Sequence, residues 1–406
     1  MSNRAARWMK TAAVVALALA LGGCGGDRAV SLGPLTTQRP PAEVGNFQWQ
    51  PRTVGTAKNL REARTREAHR LADVVVLPPE IDPDYVINDE VESRRSYVVL
   101  DGTGLADVVV NDTFDTVAHN LVAGSRTQWS SRSDDNDKSR QLTIAVLEFP
   151  DSASAAAVAT TLERDDFTYH RDNEPVHLVR YPGTAAHWRP RVSSLGAWTA
   201  HERFVVFVKF DDERRAPDLP SLTAEVERTL DAQLPLLDQF APTASEKLLT
   251  IELDPEGLFG RTLDADPTAW PVDRVHVGAY AGRGGWEPWW SYGRGKYSER
   301  IRPDALAHFQ VDQVAIGDTV VARTRTEEAA QALLSEERRL MDQHADSAEP
   351  PITTPADIGC FLDAQYPATG AVCLFRVGRH VVKAKSKHTP TLRQMIAAQH
   401  MLLVGA

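Results

Sequence analysis

The stretch Leu142-Thr-Ile-Ala-Val-Leu-Glu-Phe149, followed by Asp151-Ser152 and the Ala-rich run from Ala153 to Glu163, decides the fold. It alternates as a half-buried strand does and then passes through helix-opening residues into a helical run. At an offset of 177 residues, Thr319-Val-Val-Ala-Arg-Thr-Arg325 repeats the strand. Thr326 is placed to cap the following helix, Glu327 and Glu328 suit its N-terminus, and Ala330, Leu333, Leu334, Leu340 and Met341 supply an apolar stripe. Two more anchors accompany this pair. Ile81-Asp82-Pro83-Asp84-Tyr85-Val86 has a counterpart in Leu253-Asp254-Pro255-Glu256-Gly257-Leu258, and Gln233-Leu-Pro-Leu-Leu237 has one in Gln399-His-Met-Leu-Leu403. Between these, Phe204 to Phe210 leads to a helix from Ser221, and Val372 to Lys387 reads as two strands turning at Gly378 before a helix capped at Thr389. The expectation is an α+β protein of two related modules produced by internal duplication. Each is a mainly antiparallel sheet with helices packed on one face, and the pair would form a pseudo-symmetric cleft.

Working outward, the N-terminus carries Arg4, Arg7 and Lys10, then an apolar run from Ala12 to Leu21, shorter than the roughly 20 residues a membrane span requires. Leu21-Gly22-Gly23-Cys24 resembles a bacterial lipobox, in which the cysteine becomes the diacylglyceryl-modified first residue of the mature chain. An ordinary secretory signal with an incidental cysteine, or a buried apolar segment, is the alternative. The expected organisation is a lipoprotein signal peptide at 1–23, a flexible tether at 24–58, a first module at 59–240 and a second at 241–406. Membrane attachment would be through Cys24, on the extracytoplasmic face. The other two cysteines, Cys360 and Cys373, flank a Pro367-to-Gly370 turn signal. In an exported chain they are expected to form a disulfide.

The run Arg61-Glu62-Ala63-Arg64-Thr65-Arg66-Glu67-Ala68-His69-Arg70-Leu71-Ala72, with Val75-Val76-Leu77-Pro78 and Ile81-Asp82-Pro83, resembles a family of envelope lipoproteins of mycolic-acid-forming actinobacteria that carries a domain of unknown function. The resemblance covers most of the mature chain. It implies lipid anchoring and an envelope location, and it supplies no catalytic residues.

A formal net charge of −10 argues against a general nucleic-acid binder. The sequence has no His-Glu-x-x-His, no Gly-x-Ser-x-Gly and no P-loop, and its 12 histidines are scattered. No catalytic residue, metal or cofactor is therefore expected. Asp134-Asp135-Asn136-Asp137 has oxygen donors suited to calcium but lacks the rest of a binding loop, so it reads as solvated. Lys383, Lys385 and Lys387 alternate along a strand, as a face meeting anionic headgroups or an ordinary solvated face would. Gly282-Arg-Gly-Gly-Trp286-Glu-Pro-Trp289-Trp290-Ser-Tyr292 has two readings. Its aromatics either cover the second module's core or form a contact surface for a ligand or partner, with Trp286, Trp289, Trp290 and Tyr292 as the residues concerned. The functional expectation is a non-enzymatic envelope binding or interaction protein. The rivals are a glycan or lipid hydrolase without a recognisable motif and a purely structural envelope component.

Overall fold

The computed structural model describes residues 42–88, 98–106, 108–109, 113–134, 138–264, 275–291, 304–342, 345–346, 355, 357–363 and 370–404. The chain divides into Met1–Arg39 and Pro40–Ala406, and every described residue belongs to the second unit. The expected signal peptide and Cys24 lie outside the described residues. Residues 42–58, expected in the tether, are instead a strap packed on the second module. Val44 is buried with Leu263, Met395 and Leu402, Arg52 donates to the Thr262 carbonyl at 2.9 Å, and Thr56 bridges to Glu252. The strap is largely non-repetitive chain, so its apolar residues show neither the strand nor the helix period.

The first sheet contains β1 (Tyr85–Asn88), β2 (Val98–Val99), β3 (Ala123–Ser131), β4 (Arg140–Glu148), β5 (Glu174–Val176), β6 (Ala185–Trp188), β7 (Ser194–His201) and β8 (Phe204–Asp212). The second contains β9 (Gly278–Ala281), β10 (Val311–Ile316), β11 (Thr319–Thr324), β12 (Ala345–Asp346), β13 (Gly359–Asp363), β14 (Ala371–Val377) and β15 (His380–Ser386). The first runs β1-β3-β4-β8-β7-β6-β5, with β2 also on β3, and the second runs β9-β10-β11-β15-β14-β13-β12. Strand for strand these are one topology, and the pairings are antiparallel. The helices correspond too: α2 (Ser152–Thr168) and α3 (Leu219–Leu237) match α5 (Glu327–Asp342) and α6 (Thr389–Leu403), α1 (Leu60–Leu71) and α4 (Gly282–Ser291) standing outside the repeat. Asp151 caps α2 through the Ser154 amide, Asp218 caps α3, and Thr326 receives the Ala329 amide at 3.1 Å. In α6 the cap position falls to His388 rather than Thr389.

The two-module α+β class holds, but the helices are shared between both faces of each sheet. Ile144 opposite Val208 and Val146 opposite Val206 pack with Leu222, Val226 and Leu230 of α3. Ala145 opposite Phe207 and Leu147 opposite Val205 pack with Ala155, Val158 and Leu162 of α2. In the second module Val320 and Ala322 join Ala330, Leu333 and Leu334 of α5, while Val321, Val382 and Ala384 join Leu392 and Ile396 of α6. Residues 144–147 are apolar without a break because the strand is covered on both sides, as in sheets sandwiched between helices.

The glutamine anchor of the duplication is preserved at the level of single hydrogen bonds. Gln233 accepts from the Val76 amide at 3.0 Å and donates to the Val74 carbonyl at 2.8 Å. Gln399 accepts from the Leu263 amide at 2.8 Å and donates to the Arg261 carbonyl at 2.8 Å. Both side chains are fully buried. Each satisfies one amide and the carbonyl two residues before it, holding an extended segment that would otherwise bury unpaired backbone groups. The Asp-Pro anchor is not equivalent: Tyr85 begins β1, whereas the second copy leads into a short 3₁₀ turn at Phe259–Arg261.

One hydrophobic core joins the modules. It holds the α3 face of the first sheet, the α5 face of the second, and Trp129, Tyr280, Trp286, Trp289 and Phe309. Unlike faces therefore meet, and core fills the place of the expected pseudo-symmetric cleft.

Cys360 and Cys373 sit directly opposite each other on β13 and β14 and form a disulfide across 13 positions of sequence. A loop of this length is worth about 3 kcal/mol in the chain-entropy model. Adding reductant should lower the denaturant midpoint of the wild type and leave Cys360→Ala/Cys373→Ala unmoved. Equal sensitivity of the two would contradict the pairing.

Candidate functional site

The Gly-Trp stretch is a helix, α4, and it is not a surface. An added Cβ at Gly285 would come within 2.4 Å of the Val314 Cβ, and one at Gly284 within 2.9 Å of the Asp73 backbone. The glycines thus let α4 lie directly on β10 and on the 3₁₀ turn that follows α1. Trp286 is 1% exposed and Trp289 0%. Trp289 donates through Nε1 to Glu337 at 2.9 Å. Lys383 donates to the Trp289 carbonyl at 2.8 Å, lies 4.3 Å over its ring and pairs with Glu337 at 3.0 Å. Glu287, on the same helix, accepts from Trp129 and Thr127 of the first sheet. The contact surface expected at Trp286 and Trp289 is therefore corrected: both rings are core, each larger than a loop could shield. The Trp290 side chain and Tyr292 lie outside the described residues. Lys383 likewise leaves the expected cationic strand face, because its ammonium is fully buried against Glu337. Asp135 to Asp137 lie outside the described residues, and no cluster of three metal-ligating side chains occurs among those described.

The Arg-rich run that carried the family resemblance forms α1, whose polar side chains tie several parts of the molecule together. Arg64 donates to the Val122 and Leu100 carbonyls at 2.9 and 2.6 Å. Arg70 reaches the Ala241 carbonyl at 2.8 Å, and Glu67 accepts from the Thr243 amide at 2.7 Å. Arg66 donates to the Ala279 and Glu252 carbonyls. The helix thus holds the first sheet, the crossing between modules and the second sheet.

A cavity of about 290 Å³ remains between α1 and the second module. Arg61, Thr65, Arg66 and His69 line one side at helical spacing, with Phe259, Val275 and Val277 opposite. The Arg66 guanidinium lies below the usual arginine range because burial strips its hydration, with Arg70 adding to the effect. Burial also pushes His69 down to about 3. Its Nε2 lies 2.6 Å from the Val275 carbonyl, so that nitrogen carries the proton of a neutral ring. The site presents a dehydrated cation at Arg66, a second guanidinium at Arg61, the Glu62 carboxylate and Asn59 amide, a neutral imidazole, a hydroxyl and an apolar wall. Sequence reading missed it because the run that forms α1 was read only for its family resemblance, and Phe259 and Val275 are some two hundred residues away.

The models of the N-terminal and C-terminal halves of one domain of unknown function, DUF7373, match residues 54–253 and 258–406. The chain belongs to the DUF7373 family. The N-terminal match takes in α1 and the first sheet, and the C-terminal match the second sheet with α4. No curated protein matches the chain. Among solved structures, the extracellular domain of PknH from Mycobacterium tuberculosis is similar at 14% identity and a TM-score of 0.22, over 34% of this chain and 79% of that one.

A second titratable feature of this DUF7373 chain lies where α1 meets β4. Glu148 is buried, and neither carboxylate oxygen has a hydrogen-bond partner among the described residues. Desolvation, followed by the Glu67 charge, pushes it up to about 8 from 4.5, against the pull of Arg203 and Arg70. The folded state thus keeps a proton that the unfolded chain releases near 4.5. The associated stability is fully present below that pH and is lost as pH rises through 8. Urea midpoints should fall between pH 5 and 9 in the wild type and fall less in Glu148→Gln. Parallel profiles would rule Glu148 out as the source.

Proposed function

We propose that the protein is exported and held on the extracytoplasmic face of the cell membrane by diacylglyceryl Cys24, where it binds a small amphipathic anion without turning it over. The N-terminal sequence Leu21-Gly22-Gly23-Cys24, behind a basic and apolar leader, supports the anchoring. A disulfide between β13 and β14 is in keeping with an oxidising compartment. The observation that carries the binding role is the cavity beneath α1, where a dehydrated arginine faces apolar walls. The guanidinium would take an anionic head and Phe259, Val275 and Val277 a short apolar body.

Two measurements test this. Metabolic labelling with an alkynyl palmitate should mark the wild type and not Cys24→Ala, and the unlabelled variant should leave the membrane fraction. An unlabelled wild type would sink the anchoring. Calorimetric titration of the processed chain with decanoate should give saturable binding that Thr65→Phe, which fills the cavity, abolishes. Absence of binding, or binding unaffected by Thr65→Phe, would sink the cavity as the site.

A further inference from the structure

We propose that a separate cavity, on the α2 face of the first sheet, binds a neutral saccharide. It has a volume of about 330 Å³, within the range that small-ligand sites occupy. Its floor is a row across three strands: His187 on β6 stands opposite Gly196 on β7, and Gly196 stands opposite Lys209 on β8. The middle position carries no side chain, and a Cβ added there would meet no atom within 4 Å. The row therefore has two polar walls and an empty centre.

The lining chemistry points to the class of ligand. Asp166 and Asp211 line it together with Lys209 and Arg189, two acids and two bases, so the lining favours an ion of neither sign. His187 lies between two carboxylates, with Nδ1 3.2 Å from Glu163 and Nε2 3.9 Å from Asp166. Lys209 stands 3.6 Å from Asp211. Donors and acceptors thus alternate around the cavity, as an array of hydroxyls requires. Burial pushes the Asp166 carboxyl up, and its oxygens would accept from ligand hydroxyls. At the rim, Tyr169 is 68% exposed and is one of the lining residues. An exposed ring at the mouth of a polar cavity offers an apolar face to the C–H face of a sugar. Neither Tyr169 nor Gly196 supports the core, so both can be changed without touching it.

The processed chain, purified from membranes in detergent, should be screened on an array of neutral and anionic glycans and titrated with the neutral glycan that binds best. Saturable binding is expected. Gly196→Val should abolish it by filling the floor, and Tyr169→Ala should weaken it about tenfold, both with wild-type unfolding midpoints. The proposal is overturned if no neutral glycan binds, if only anionic glycans bind and salt removes them, or if Gly196→Val leaves the affinity unchanged.

Discussion

Lys383→Met is expected to destabilise the fold by about 3–5 kcal/mol, because it breaks a fully buried ion pair by removing the ammonium from the Glu337 carboxylate. Both side chains are fully excluded from solvent and lie 3.0 Å apart, so water cannot replace the lost partner. Lys383 also bonds the Trp289 carbonyl, and Glu337 accepts from the Trp289 indole, so one small network joins β15, α5 and α4. Glu337→Gln keeps an oxygen for the indole but removes the carboxylate charge paired with the buried ammonium, and it should cost a similar amount. The double variant Lys383→Met/Glu337→Gln carries neither charge of this pair and should be more stable than either single. Denaturant midpoints of the four proteins give the coupling directly. Strictly additive losses would mean that the pair does not act as one unit.

Trp286→Ala should cost a further about 3–5 kcal/mol, the range for emptying a fully buried large aromatic site. The ring is 1% exposed and lies in the core that both sheets share, with Phe309 6.2 Å away between centroids. The hole would open between the modules rather than within one of them. Loss of near-ultraviolet dichroism together with a lowered midpoint is the expected signature. A variant with wild-type stability would place the indole in solvent and restore a contact role for this helix.

Much of the fold was legible where one strand or helix carries its own pattern. The run 142–149, the capped helix after Thr326 and the paired glutamines are local signals, and the structure places each in equivalent positions. The helix α4 was not legible as one, because Gly282, Gly284, Gly285 and Pro288 are poor helix formers and the reasons for them sit on β10 and beside Asp73. Lys383 was misread for a similar reason. Alternating lysines look like a wet face, and the partner that buries one of them is 46 positions away in sequence. The cavity beneath α1 needs residues from both halves of the chain, so no single stretch could announce it. His187, Gly196 and Lys209 form a row only through strand register, which composition does not encode.

The junction of unlike faces has a consequence for assembly. An interface that joins one module's α3 side to the other's α5 side has no two-fold axis, so it uses up neither kind of surface completely. The α2 side of the first module is the counterpart of the surface already engaged on the second, and the α6 side of the second is the counterpart of that engaged on the first. Bare modules joined this way could go on adding copies, as a solenoid does. Here both ends are stoppered: Leu105, Val109, Phe114 and Leu121 cover the first, and the strap with Val44 and Val54 covers the second. These segments play the part of end caps, closing at two units a stack that its own geometry would leave open.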